Sequence, residues 1–578
     1  MENNAIMKNI VIIGGVAGGA SFAARMRRLD ESANIIMVEK GEFISFANCG
    51  LPYHIGETIQ ERDDLIIQTP RQFFERFNID VRVRSEAVSV NPAEKTVTIR
   101  NRDGEYRQSF DYLLLAPGCA PVRPKITGID SPAVCMLRTI PDMDHIKGMI
   151  DKGGVKRTVV IGGGFIGLEM AENLRRRGLA VAVVELLDQV FAPMDREMAS
   201  ILHQHLAING VRLLTGHGVS RIADDGSGIA SVILDDGTML PAELAVLAVG
   251  VTPDTRFLES SGILLSGRGA IVVNERLQTN YPFIYAAGDA VEVEDFVSGT
   301  KTLVPLAGPA NRQGRIAADN IAGIPTTYKK TLGTAICKVF DLTAAVAGIN
   351  EKTAKRLKIP YTKSYTHSTS HASYYPGAFF LSIKLLFAPD TGRVLGAQII
   401  GKEGVDKRID VLATAIRHCL TVDELGELEL AYAPPFSSAK DPVNIAGFVA
   451  QNIRGGRMLV FYSEEVKGID AAKQQLLDVR TIEEHEAGNI PNSLCIPIDS
   501  LRGRLKELDA TKEIMVYCRV GLRGYLATRI LLENGFTAKN LSGGYITWLG
   551  MQTPDDAAYL AAITEPSCAT PASGKNSP

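Results

Sequence analysis

The chain has 578 residues, a formal net charge of −3, 46% apolar residues and 22% charged residues. At roughly 150 residues per domain, this length predicts about four domains with buried cores of their own. The same figures exclude whole-chain disorder, a coiled coil and a small disulfide-stapled fold, and they carry no electrostatic footprint of a nucleic-acid binder.

In chain order, residues 10–13 read as a short apolar strand, followed by the glycine-rich run Gly14-Gly15-Val16-Ala17-Gly18-Gly19. A helix over 20–29 and a strand over 35–38 ending at Glu39 complete a βαβ unit. A lone cysteine follows in Ser45-Phe46-Ala47-Asn48-Cys49-Gly50-Leu51-Pro52-Tyr53. Residues 81–115 alternate as a β-rich excursion closed by Ala116-Pro117-Gly118. The βαβ plan then recurs, with a strand over 158–161, Gly162-Gly163-Gly164-Phe165-Ile166-Gly167, a helix over 168–177, and a strand over 180–184 ending at Glu185. Strands are expected over 232–234, 244–248 and 283–287, the last leading into Gly288-Asp289. A helix over 308–320 precedes a mixed region, 331–450, with a polar loop at 367–377. A linker near 454–468 leads to a compact unit over 476–549, and the residues after 553 are rich in Ala, Pro, Ser and Gly.

The second glycine motif has the full dinucleotide fingerprint. Gly162 makes the tight turn, Gly164 lets backbone approach a pyrophosphate, Gly167 lets the helix pack on the strand, and the phosphate sits at the helix N-terminus. A tight structural turn is the alternative. Glu185 can accept hydrogen bonds from a ribose 2′-hydroxyl and repels a 2′-phosphate, and no arginine follows it directly, so NADH is favoured over NADPH. The first motif has Val16 where the second glycine is expected but retains Gly14, Gly18, Gly19 and Glu39. Two such turns in one chain suggest a bound flavin with a nicotinamide donor. Asp289 would turn towards the flavin's ribityl or phosphate region, or else cap a helix.

No apolar run reaches the ~18 residues of a membrane helix, and no basic-then-apolar leader opens the chain. The expected setting is the cytoplasm, without membrane insertion or nucleic acid. The 8 cysteines are scattered with no CxxC pair, so neither a zinc ribbon nor a dithiol is suggested. No cluster predicts a metal. His367 and His371 are expected to be polar surface or pocket residues rather than ligands.

On Gly14–Gly19, Ser45–Leu51, Gly162–Gly167, Ala286–Ala290 and the later tyrosine segments, residues from 8 to about 450 resemble the coenzyme A disulfide reductases. These belong to the pyridine nucleotide–disulfide oxidoreductase superfamily. Glutathione-reductase relatives carry a CxxxxC pair, but here Ile44 and His54 flank Cys49 at that spacing. The resemblance therefore implies a mixed disulfide between Cys49 and coenzyme A. It also implies a homodimer in which Tyr374 and Tyr432 face the cysteine site across the interface and donate hydrogen bonds to sulfur. Arg25, Arg28 and Lys440 would approach the coenzyme A phosphates, with Ser45 and Asn48 beside the pantetheine thiol. Taken alone, Arg25 and Arg28 also suit a solvated helix face, and the tyrosines an amphipathic core. The implied cofactor contacts are Gly14, Val16, Ala17, Gly18, Glu39, Lys40, Ala116, Gly118, Gly288 and Asp289, with Gly162, Gly164, Gly167 and Glu185. Cys49 must be a thiolate to attack. A nearby flavin and the helix that starts after it are expected to lower its pKa.

Asp478-Val479-Arg480, the run 485–493, Cys518-Arg519-Val520-Gly521-Leu522-Arg523-Gly524 and Gly543-Gly544-Tyr545 resemble the single-domain rhodaneses. Backbone N–H groups of the loop after Cys518, with positive charge from Arg519 and Arg523, of which one or both face the sulfur, would stabilise a thiolate and then a persulfide. Protein-tyrosine phosphatases place five residues between Cys and Arg. Four stand between Cys518 and Arg523, a tighter loop that favours sulfur transfer. Asp478 and Arg480 are expected to be structural.

The whole chain resembles the coenzyme A disulfide reductase–rhodanese fusions, including NADH-dependent persulfide reductases. The implied fold is multidomain α/β: two Rossmann-like three-layer nucleotide domains, an α+β dimerisation domain and a rhodanese α/β domain. The expected boundaries are a split FAD domain at 7–116 and 280–328, an NAD domain at 117–279, a dimerisation domain at 329–454, a linker at 455–467, a rhodanese domain at 468–553 and a flexible tail at 554–578. The expected reaction is reduction of coenzyme A persulfide, other low-mass persulfides or polysulfide to sulfide, with Cys518 presenting sulfane sulfur. Coenzyme A disulfide reduction is the main alternative. A sulfur-delivery or redox-sensing flavoprotein and an NADH oxidase are further ones.

Overall fold

In a computed structural model, residues 7–224 and 229–552 are described. The expected tail at 554–578 lies outside them. The chain divides into two compact units, Met1–Leu187 with Leu214–Gly333, and Asp188–Leu213 with Thr334–Pro578.

The first unit holds both nucleotide domains. One parallel sheet has the order Ile284–Ala286, Tyr112–Leu115, Asn9–Ile13, Asn34–Val38, Asp80–Arg82. Its outer strand comes from beyond the second glycine motif, with Ile284 opposite Leu113 and Ala286 opposite Leu115. Ile10, Val11 and Ile12, like Leu113, Leu114 and Leu115, are fully buried. Strands shielded on both faces read as unbroken apolar runs, which is why the sequence shows no alternation there. The β-rich excursion contains a three-stranded antiparallel sheet, Glu86–Asn91, Thr96–Asn101 and Gly104–Ser109. A second parallel sheet runs Ala180–Glu185, Arg157–Ile161, Leu244–Leu247, Val134–Cys135.

Both motif helices begin three residues earlier than expected, as Ala17–Leu29 and Phe165–Arg176. The last motif glycines therefore lie inside their first turns. A Cβ on Gly19 would sit 1.9 Å from the Gly14 carbonyl oxygen, and one on Gly167 1.9 Å from that of Gly162.

In the second unit, an antiparallel sheet runs Ala335–Val339, Leu342–Gly348, Val394–Gly401, Phe380–Phe387, Thr362–Thr369. Lys384 points from it into the interior, fully buried. Its Nζ meets Glu351 Oε2 at 2.7 Å, Asp195 Oδ2 at 2.8 Å and the Glu197 carboxylate. These three acids are close enough to hold a metal, but the ammonium already occupies their centre. The rhodanese sheet is parallel, in the order Val460–Phe461, Ala538–Leu541, Glu513–Tyr517, Gln474–Asp478, Leu494–Cys495. The expected linker, 455–467, thus supplies an edge strand, with Val460 opposite Asn540. Two residues of strand are too short to show a period.

Candidate functional site

The two glycine turns are built alike. Gly14 and Gly162 have φ of +95° and +109°, the left-handed region open to glycine. A Cβ on Gly14 would lie 2.0 Å from the Ala116 carbonyl oxygen, and one on Gly162 2.3 Å from that of Ala248. Glu39 accepts from the Gly15 N–H at 2.9 Å and the Gly41 N–H at 2.7 Å. Glu185 does the same with Gly163 at 2.6 Å and Leu187 at 2.9 Å. Neither helix has a side-chain cap or an acid in its first turn, so both N-termini present their free N–H groups, as a pyrophosphate requires. A Cβ on Gly164 would meet nothing within 4 Å. Glycine at this position answers to the ligand and not to the fold, which is how Val16 stands in the first turn. These cradles fit two dinucleotides.

Other expected contacts divide. Ala116 donates its N–H to the Ile13 carbonyl at 2.8 Å, and Gly118 has φ +69°. Gly18 packs against Ala287, and Gly288 donates to Gln313 Oε1 at 2.7 Å. Asp289 begins no helix, because the strand Val291–Glu294 follows it, so the helix-cap alternative falls. Burial pushes its pKa up. Lys40 pairs with Asp254, which Arg138 also approaches at 3.9 Å.

Cys49 sits in a short 3₁₀ turn, Asn48–Gly50, directly before the helix Leu51–Ile55. Its backbone N–H and its thiol both donate to Asn48 Oδ1, at 3.1 and 3.7 Å. The expectation of a lowered thiol pKa is not met by the chain itself: desolvation, then the Glu169 and Asp289 carboxylates, push it up. A five-residue helix contributes too little dipole to offset them. Glu169 is a site residue the sequence reading missed. Burial pushes its carboxyl up to about 7, Glu172 adds to this, and the Tyr53 hydroxyl, donating at 3.4 Å, works against it.

Arg25, Arg28 and Ser45 line one cavity of about 380 Å³. Arg76, Arg315 and Gln68 line it as well, and nothing local in the sequence marks these three. Gln68 Oε1 is buried without a hydrogen-bond partner. Arg25 is paired with Asp319 at 2.7 Å. The net positive lining fits a polyphosphate, and Ser45 brings the cavity to within four residues of Cys49 along the chain.

In the second unit the Tyr374 and Tyr432 hydroxyls lie 2.9 Å apart. The residues are 73% and 48% exposed, which removes the core reading. Lys440 is exposed beyond the same tyrosine loop. His371 is buried, and His367 is part-buried and lines a cavity with Phe380 and Ile546, the pocket setting expected of it. His367 bridges Ser382 Oγ and Thr547 Oγ1, each at 2.8 Å, and burial pushes its pKa down to about 4.

Cys518 ends the strand Glu513–Tyr517 and is fully buried. The Gly521 N–H donates to its sulfur at 3.1 Å, with Gly521 at φ +105° capping the helix Leu522–Glu533. The Tyr545 N–H fixes the Cys518 carbonyl at 2.8 Å. Arg523 is paired with Glu484. The Arg519 guanidinium lies over the Phe380 ring, 5.5 Å from the centroid, while the Arg523 pKa is pushed up, against the cost of its burial, by Glu484 and by Cys518. Asp478 and Arg480 form a buried pair at 2.7 Å, structural as expected.

The family described as pyridine nucleotide-disulphide oxidoreductase matches residues 8–314, and its dimerisation domain matches 334–442. A rhodanese-like domain matches 463–551. The chain belongs to the pyridine nucleotide-disulphide oxidoreductase family and carries a C-terminal rhodanese domain. It is 37% identical over 450 residues to a coenzyme A disulfide reductase of Staphylococcus haemolyticus, covering 77% of this chain and 100% of that one. The reduced CoADR-RHD of Bacillus anthracis superposes with a TM-score of 0.92 at 48% identity, covering 96% of this chain and 99% of the other. An NAD-dependent persulfide reductase from A. fulgidus superposes with a TM-score of 0.89 at 39% identity, covering 93% and 100%.

Proposed function

We propose that the protein is a homodimeric, FAD-dependent enzyme that uses NADH to reduce coenzyme A persulfide and other low-mass persulfides or polysulfide to sulfide. The observation that carries this reading is the arginine-lined cavity running from Ser45, four residues before the only cysteine of its segment. It suits a phosphorylated thiol carrier whose sulfur must reach Cys49. The Cys49 thiolate attacks the coenzyme A sulfur of the persulfide, the S–S bond of the donor breaks, hydrosulfide leaves, and a Cys49–coenzyme A mixed disulfide forms. FAD held at the Gly14–Gly19 turn and Glu39 would supply the two electrons, drawn from NADH held at the Gly162–Gly167 turn and Glu185, that return the mixed disulfide to two thiolates. Tyr374 and Tyr432, reaching the site across the dimer, donate hydrogen bonds to the departing sulfur. Glu185 selects NADH by repelling a 2′-phosphate.

Cys518 takes sulfane sulfur from donors and passes it to coenzyme A, which carries it to Cys49. No helix among the described residues is long and apolar enough to cross a membrane. All seven cysteines among the described residues are free, which suits a reducing cytoplasm. The cavity and Cys49 also suit coenzyme A disulfide, as the Staphylococcus relative's name states for that protein. Comparing kcat/KM for coenzyme A disulfide and coenzyme A persulfide separates the two. The central mechanism is tested by Cys49→Ser, with NADH oxidation and released sulfide measured together. Both are expected to fall at least about a thousandfold, and a variant that still releases sulfide at the native rate overturns the reading.

A further inference from the structure

Beside the Cys518 loop, Arg480 and Arg523 are each closed into an ion pair. Arg523 gives both terminal nitrogens to Glu484, Nη1 to Oε2 and Nη2 to Oε1, each at 2.7 Å. Arg480 gives Nη2 to Asp478 Oδ2 at 2.7 Å and Nε to Oδ1 at 3.0 Å, and His485 Nδ1 lies 2.9 Å from the same carboxylate. Arg519 directs its guanidinium over Phe380. These two arginines and two acids sum to no net charge, so Arg523, the guanidinium that feels the Cys518 sulfur, already has its charge matched by Glu484. The Gly521 N–H, at 3.1 Å, is the donor aimed at that sulfur.

Glu484 is itself firmly held. It is the third helical residue of a capping box on Ile482–Glu486, donating its N–H to Thr481 Oγ1 at 3.2 Å and accepting the Thr481 N–H at 3.0 Å. With side-chain exposures of 22% for Glu484 and 30% for Arg523, the pair is only partly screened by solvent.

We propose that Glu484, acting through Arg523, makes the Cys518 site selective for organic persulfides, whose sulfane end carries at most one negative charge, against compact inorganic dianions. With a persulfide R–S–SH, the Cys518 thiolate attacks the terminal sulfur. The donor S–S bond breaks as the Cys518–sulfur bond forms, and RS⁻ leaves and takes a proton from water. With thiosulfate the same displacement expels sulfite, and three negative charges gather where the paired arginines offer no net compensation. This deepens the proposed function, since it rests on Cys518 being a sulfurtransferase and names the donor class it accepts.

The test uses the full-length, FAD-loaded protein, with thiocyanate formation from cyanide as the readout and either thiosulfate or glutathione persulfide as donor. In the native protein kcat/KM for the persulfide is expected to exceed that for thiosulfate by at least about a hundredfold. Glu484→Gln keeps the helix cap but removes the charge. It should raise kcat/KM for thiosulfate about tenfold while leaving the persulfide value within about threefold. Added salt should raise the native thiosulfate rate. A native preference for thiosulfate, or a Glu484→Gln variant that lowers both donors equally or leaves their ratio unchanged, overturns the proposal. NADH-dependent reduction of coenzyme A disulfide is measured alongside. Its absence from the native protein would sink the reductase reading, while the donor ratio would still decide this one.

Discussion

The two cysteines proposed as sulfur centres stand in opposite surroundings. Cys518 is fully buried at a strand end, and the fold itself aims a backbone N–H at its sulfur. Cys49 is exposed in a short turn, and its own surroundings, Glu169 and Asp289 among them, oppose its ionisation. A site that must hold a persulfide between encounters benefits from stabilisation built into the backbone. A site that must cycle between thiolate and mixed disulfide gains its stabilisation from what binds beside it. The difference teaches that a reactive cysteine need not look reactive in the chain alone.

The sharpest way to break this contrast is to remove one centre and measure the other. Cys518→Ser should lower thiocyanate formation at least about a thousandfold, with NADH-dependent reduction of coenzyme A disulfide unchanged. Loss of both activities would show that the centres are not separable. A smaller effect is expected from Gly521→Ala. A side chain at φ +105° costs about 1–2 kcal/mol, and relaxing that strain turns the N–H away from the sulfur. Sulfur transfer should fall about tenfold, and a variant transferring at the native rate would show that this donor is dispensable. The smallest effect tests the opposing charge at Cys49. Above pH 7 the Glu169 carboxyl, pushed up to about 7, is ionised and disfavours the neighbouring thiolate; below it the carboxyl is neutral and that opposition is gone. Glu169→Gln should therefore speed iodoacetamide alkylation of Cys49 about two- to fivefold at pH 8, with the gain vanishing near pH 6. An equal gain at both pH values would exclude the Coulombic explanation.

Both glycine turns were legible from the sequence, and the two cysteines were singled out there, because each is a local pattern whose physics is contained in a few consecutive residues. Val16 looked like a defect until the open space around Gly164 showed that the fold does not need a glycine there. What escaped the sequence depends on distant partners. That the Arg519 guanidinium also lies over Phe380, about 140 residues earlier in the chain, has no local signal. His367 reads as a polar loop residue, but it lies on the strand Thr362–Thr369 and is bonded to Thr547, 180 residues away. Arg315 lies about 240 residues from Gln68 and Arg76 in the chain and meets them only around the cavity. Glu484 did leave a trace, since Thr481-x-x-Glu484 is a capping-box pattern, but nothing in it announces the bond to Arg523.

The outer strand of the first parallel sheet has a consequence for how the protein is made. Tyr112–Leu115 presents a bare edge until Ile284–Ala286 arrives to pair with it. About 170 residues lie between them, which at ordinary translation rates is on the order of ten to thirty seconds. During that interval the nascent chain carries an incomplete, strongly apolar sheet. The flavin-type cradle becomes whole only after the nicotinamide-type domain has left the ribosome, so a ribosome stalled anywhere in that stretch should strand a chain that chaperones recognise and FAD does not.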